Sequence, residues 1–214
     1  MLPSFFRKGV KRLNDQGINK SEKKELKATK SLWAEIYEWI DCIVITVVCL
    51  LLIFTFVFRQ VQIDGDSMKG TLLNGERVLV SDVFYTPENG DIVVISSEVY
   101  DNVPIIKRVI ATEGQWVNIV DGKVFVGDSK ETMQLIKEDY IGDNFTAEII
   151  ASDYYGHHDY PLQVPHNKVF LMGDNREVSL DSRTQTIGFV DEKQILGKAL
   201  YRVFPFSKIG SIYN

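Results

Sequence analysis

The chain has 214 residues, 45% hydrophobic and 25% charged, with a formal net charge of −5 at pH 7. That length holds one anchor and one modest domain, or a single larger domain, and the apolar content is enough for a core. An acidic balance argues against a nucleic-acid partner, because such binders are basic over the binding domain. The charge is unevenly spread: residues 1–30 carry nine Lys/Arg against three Asp/Glu. Residues 1–35 therefore read as a basic, solvated tail with helical tendency over 7–30.

The run Ile43–Phe58 has sixteen residues without a charge. Crossing a bilayer core takes ~20 residues. Extension back through Ile36, Tyr37, Trp39 and Ile40 reaches that length, with Glu38, Asp41 and the two aromatics at headgroup level. A transmembrane helix is expected over 36–59. Nothing else in the chain is apolar enough to wrap this run as a core helix. The basic region is too long for a cleaved leader, and no small-x-small site precedes Arg59. The excess of Lys/Arg before the run predicts a single-pass protein of the cell membrane, touching lipid, with a cytoplasmic N-terminus and the C-terminal domain outside. Cys42 and Cys49 lie two turns apart on this helix, roughly 10 Å along its axis, too far to form a disulfide with each other.

Residues 60–214 are expected to form a mainly β domain. Strands are predicted at Arg77–Val80, Asp91–Ile95, Ile105–Ala111, Trp116–Val120, Lys123–Val126, Val169–Met172 and Ile195–Phe204, all rich in Val and Ile. Asp121-Gly122 suits a two-residue type I′ hairpin, and Asn74-Gly75 and Asn89-Gly90 mark further turns. Residues 127–167 are polar and weakly periodic, and read as an excursion from the core sheet. Phe84 and Tyr85 are candidates for a membrane interface, with core packing the expected fate of Phe84.

Three segments carry candidate chemistry: GDSMKGTL (65–72), IIKRVIATEGQ (105–115) and GDNREVSLDSR (173–183). Each alone could be a turn or a surface strand. Together, with Ser67-Met68 just after the anchor, Lys107-Arg108 forty residues on and the late Asp174/Asn175/Arg176…Ser179/Asp181/Ser182/Arg183 block, they resemble the bacterial type I signal peptidase family. The ending GKALYRVFPFSKIG resembles that family too, and the likeness runs over 36–210, weakest in 127–167.

A serine hydroxyl needs a base within hydrogen-bond reach. Lysine can serve only when neutral, against an ordinary pKa of about 10.4, and desolvation lowers that value. Alternation on a strand places Ile105, Lys107 and Val109 on one face, so the amine of Lys107 emerges from an apolar surface. The resemblance implies an antiparallel β-sheet catalytic domain and a membrane-bound serine endopeptidase that cuts signal peptides from exported preproteins, without a cofactor or metal. It implies Ser67 as nucleophile and Lys107 as general base. Ser179 would orient the lysine, while Asp181 and Arg183 would support the site as an ion pair. Asp174, Asn175, Arg108 and Met68 fall in the same motifs as supporting residues. The backbone N–H of Ser67 would bind the oxyanion; the second donor stays open, because Gly65 stands where some members carry a hydroxyl. Small residues would be read at −1 and −3 of the substrate.

Two positions depart from the family pattern: Gly70 replaces a usual proline, and Ala111-Thr112-Glu113-Gly114 replaces Gly-Leu-Pro-Gly. Nine residues from Phe58 to Ser67 span about 30 Å or less when extended, which tethers the nucleophile near the outer membrane surface. His157, His158 and His166 read as surface groups rather than metal ligands, since neighbours on a strand face opposite ways. The competing class is a catalytically inactive membrane-tethered scaffold or assembly factor on the same fold. A self-cleaving Ser/Lys repressor shares the dyad logic but lacks an anchor.

Overall fold

A computed structural model describes residues 20–96, 103–141 and 158–213, with side chains from residue 33 onward. The basic cluster before residue 20, His157 and the middle of the 127–167 excursion lie outside the described residues. Helix α1 runs over Lys20–Val57. Its apolar part, Trp33–Val57, has 25 residues and contains an 18-residue window of mean hydropathy 2.9, none of it buried. At 1.5 Å per residue that part is about 37 Å long, more than the ~30 Å of a bilayer core. The Thr46 hydroxyl bonds back to the Cys42 carbonyl at 2.7 Å, so this polar group is satisfied inside the helix.

The β unit contains twelve strands among the described residues: β1 Arg59–Gln62, β2 Arg77–Ser81, β3 Ile92–Ile95, β4 Ile105–Ala111, β5 Trp116–Val120, β6 Lys123–Gly127, β7 Gln134–Leu135, β8 Leu162–Gln163, β9 Lys168–Met172, β10 Val190–Asp191, β11 Ile195–Phe204 and β12 Gly210–Ser211. One antiparallel sheet has the order β1-β2-β11-β3-β4-β9-β10, with β12 on β11, and a smaller one has the order β7-β6-β5-β8. Every strand expected from Val/Ile patterning is present. Asp121 and Gly122 have φ of 48° and 70° between Val120 and Lys123, as a type I′ turn requires.

The large sheet is covered on both faces, which is why the β3 text, IVVI, does not alternate. Ile92 and Val94 join one cluster with Met68, Leu72, Val78, Val80 and Ile106. Val93 and Ile95 join another with Val109, Val169 and Leu171. A third cluster, including Ile110, Val117, Val124, Phe170 and Met172, welds the small sheet to strands β4 and β9. The expected fate of Phe84 is reversed: it is fully exposed at φ 52°. Its neighbour Tyr85 packs against the core instead, because its hydroxyl finds Asp91 at 2.9 Å and can be buried without loss.

Candidate active site

The loop from β1 to β2 is held by its own apolar residues. Met68 and Leu72 are one turn apart, joined by a 2.9 Å backbone bond, and both are fully buried. They plug into the core and leave half-buried Ser67 at the top of a tight turn. Gly70 takes φ 118°, a value closed to proline, whose ring fixes φ near −65°. A proline could not take the backbone conformation that this chain has here.

Lys107 lies at the third position of β4, opposite Val93 of β3. Its alternation partners Ile105 and Val109 belong to the cluster of Val93 and Leu171, so the stem rises from apolar surface. The residue is only 4% exposed. Burial pushes its ammonium down from 10.5 to about 8; Asp181 and Asp174 oppose the shift and Arg183 assists it.

The segment 173–183 follows β9 and grips both neighbours. The Asn175 N–H donates to the Ser67 carbonyl at 3.0 Å, and its side-chain amide donates to the Asp66 carbonyl at 3.0 Å. Asp174 accepts two bonds from Arg108, at 2.8 and 2.7 Å, and one from the Thr71 hydroxyl at 2.5 Å. Strand β4 and the Ser67 loop are therefore tied through one carboxylate. Asp181 accepts from the Gly173 N–H at 2.9 Å and from Arg183 at 2.8 and 3.0 Å. Burial works against its ionisation, but Arg183 and the Gly173 N–H outweigh it and hold the carboxyl below its usual range. The Ser182 hydroxyl accepts from the Leu171 N–H at 3.0 Å, closing the loop onto β9.

Gly173 is required by close approach: a Cβ there would lie 2.2 Å from Ser179 Oγ and 2.5 Å from the Ser67 carbonyl oxygen. Ser179 Oγ is buried without a hydrogen-bond partner. Ser67 and Lys107 line a single open cleft of about 370 Å³, with Asp64, Gly65, Asp66, Ile105, Val178 and Leu180. A buried amine with a lowered pKa that shares a cleft with a serine hydroxyl is the pairing that acyl transfer uses.

Sequence reasoning reaches Ser67, Lys107, Ser179, Asp181, Arg183, Asp174, Asn175, Arg108 and Met68, and the structure gathers them around this cleft or its supporting bonds. It does not reach Thr71, Val178 or Leu180, although all three stand inside the quoted segments. Glu138 and Tyr140 are also missed: they sit in the polar excursion, where no periodicity or motif marks them. The altered loop after β4 is pinned by Glu113, which accepts from the Asn167 N–H at 2.8 Å and pairs with exposed His166. His158, expected at the surface, is half-buried, because its ring packs edge-on to Tyr160 and tilted against Phe189. No cluster of three His, Cys, Asp or Glu able to hold a metal occurs among the described residues.

Residues 36–204 match the family described as signal peptidase, peptidase S26. The chain is 37% identical over 179 residues to signal peptidase I of Bacillus licheniformis, covering 81% of this chain and 91% of that one. It is 38% identical over 180 residues to signal peptidase I S of Bacillus subtilis, covering 81% and 92%. Among solved structures, a signal peptidase I from Enterococcus faecalis is 25% identical, with a TM-score of 0.39 over 53% of this chain and 97% of that one.

Proposed function

Because the chain belongs to the signal peptidase family, peptidase S26, we propose that it cuts signal peptides from exported preproteins with Ser67 as nucleophile and Lys107 as general base. The observation that carries the assignment is that both residues line one cleft while Lys107 is buried and its pKa is brought down to about 8. At pH 7 roughly one such amine in ten is neutral, about 300-fold more than at 10.5.

Neutral Lys107 takes the proton from Ser67 Oγ as that oxygen bonds to the scissile carbonyl carbon. The Ser67 N–H donates to the developing oxyanion, where a preorganised donor contributes a few kcal/mol. Lys107 then gives its proton to the leaving amine, and the C–N bond breaks to leave an acyl-serine and the freed mature chain. A water molecule, deprotonated by the same amine, attacks the ester and releases the signal peptide. Ser179 Oγ has hydrogen-bonding capacity left over to hold the amine in line. Asp181 and Arg183 fix the segment that carries it. Apolar Ile105, Val178 and Leu180 on the cleft wall suit small side chains at −1 and −3.

The Trp33–Val57 span anchors the enzyme in lipid in this reading, with the basic segment cytoplasmic and the β unit outside. The test uses the full chain in mild detergent with a preprotein carrying alanine at −1 and −3. The wild type releases the mature N-terminus, read by mass spectrometry, and Ser67→Ala leaves the preprotein intact. Cleavage at the same bond by Ser67→Ala removes the nucleophile assignment.

A further inference from the structure

Two buried arginines of the site frame, Arg108 and Arg176, are capped by one short stretch from outside the three motif segments. Arg176 has no exposed side-chain surface, and its charge is met by Glu138, itself 9% exposed. The Tyr140 hydroxyl donates to the same Glu138 carboxylate at 2.9 Å. The Tyr140 ring covers the guanidinium of Arg108, 3.8 Å from its centroid. Its carbonyl oxygen sits 3.0 Å from where a Cβ on Gly70 would lie. Residues 138–140 thus touch β4, the Ser67 loop and the 173–183 segment together.

We propose that Glu138 and Tyr140 are positioning residues for the Ser67/Lys107 pair, acting through Arg176 and Arg108. The proposal rests on the dyad reading above.

The route of action is short. Arg176 Nε donates to the Gly173 carbonyl at 2.9 Å, and the Arg176 carbonyl accepts from Arg183 at 2.9 Å. Gly173 is the residue packed between Ser179 Oγ and the Ser67 carbonyl. A shift of Arg176 therefore moves the group that orients the base and the backbone of the nucleophile at once. Arg108 adjoins Lys107 on β4 and holds Asp174, which bonds Thr71 in the Ser67 loop. A guanidinium stacked on an aromatic face and bound bidentately has little freedom. Burial and the Glu138 charge hold the Tyr140 phenol above its ordinary range, so it remains a donor to Glu138 at all working pH. Misplacement of reacting groups by an ångström costs about 100-fold in rate, so a frame of this kind should be visible in turnover more than in binding.

The experiment compares Glu138→Gln, Glu138→Asp and Tyr140→Phe in the full chain in detergent. It measures kcat, KM and the pH–rate profile, with a thermal melt to check folding and Ser67→Ala as the inactive control. Glu138→Gln is expected to lower kcat at least tenfold with KM changed less than twofold. It should also move the apparent pKa of the base upward, as the loosened frame admits water to Lys107. Glu138→Asp should recover part of the loss, and Tyr140→Phe should lower kcat two- to fivefold while keeping its melt near wild type. If Glu138→Gln does not fold, Tyr140→Phe and Glu138→Asp carry the test. Overturning results are a kcat within twofold of wild type in every folded variant, or losses confined to KM. A Ser67→Ala control that still cleaves sinks the dyad reading instead, so the two failures are told apart.

Discussion

Replacing Lys107 by methionine tests the central physical claim without relying on turnover alone. The residue is 4% exposed, and burial is the main cause of its fall from 10.5 to about 8. At about 1.4 kcal/mol per tenfold change in protonation, that fall is worth about 3 kcal/mol. The folded pKa is the lower one, so between pH 8 and 10.5 the unfolded chain holds more protons and stability rises with pH. Below pH 8 both states are protonated, and the fold carries the full cost of the buried ammonium. Lys107→Met removes that cost. The variant should be inactive yet up to about 3 kcal/mol more stable at pH 7, and the gap should close as the pH approaches 10.5. Urea unfolding in mild detergent reads the gap, followed by the fluorescence of half-buried Trp116 at the start of β5. A gap that stays flat from pH 7 to 10, or a variant less stable than wild type at pH 7, would refute the burial argument. Retained cleavage would refute the role of the amine.

Gly173→Ala should lower kcat by about 100-fold, because its methyl group would press on both Ser179 Oγ and the Ser67 carbonyl; a change under threefold in steady-state kinetics would contradict the close-packing account. Asp181→Asn leaves the buried Arg183 guanidinium without its matching charge and should cost about 3–5 kcal/mol in unfolding experiments. Because the folded pKa of Asp181 lies below its ordinary value, the stability it confers is present above pH 4 and lost as pH falls through the folded pKa. Wild type should consequently lose stability more steeply in acid than Asp181→Asn, and parallel acid titrations of the two would count against the pair.

The strands legible in the sequence were those whose side chains pack against a neighbour. Ile105–Ala111 and Ile195–Phe204 carry enough Val, Ile and Leu to show their pairing, and Asp121-Gly122 states its turn in two letters. The short strands Gln134–Leu135, Leu162–Gln163 and Gly210–Ser211 were not legible, because two residues have no period and their pairing is supplied by β5, β6 and β11. Strand Arg59–Gln62 was hidden for another reason: it directly follows the apolar helix, and the charge of Arg59 reads as the end of the anchor. The shared cleft of Ser67 and Lys107 was legible because both stand in segments whose neighbours also have fixed jobs. Met68 and Leu72 plug the core, and Arg108 binds Asp174. Glu138 and Tyr140 were not, since a carboxylate and a phenol in a polar stretch look the same whether they face water or a buried arginine.

The three arginines around the cleft explain how a lysine there can give up its proton. Asp174 and Asp181 favour the charged form of Lys107. Each is already engaged by an arginine, Arg108 in one case and Arg183 in the other, and Glu138 answers Arg176. Arginine does not deprotonate in proteins, so none of these three guanidinium groups can hand its carboxylate over by losing a proton. When Lys107 becomes neutral, neither Asp174 nor Asp181 is left as an uncompensated buried anion, and no strong pair is broken. If lysines replaced Arg108 or Arg183, the bidentate hold would be lost and the carboxylates would turn toward the base, keeping it an ammonium. Arg108 of β4 and Arg183 of the late block therefore engage the two carboxylates that favour the ammonium of Lys107. Burial is then the largest influence on the charge of the amine; Asp181 and Asp174 oppose it, and Arg183 assists it.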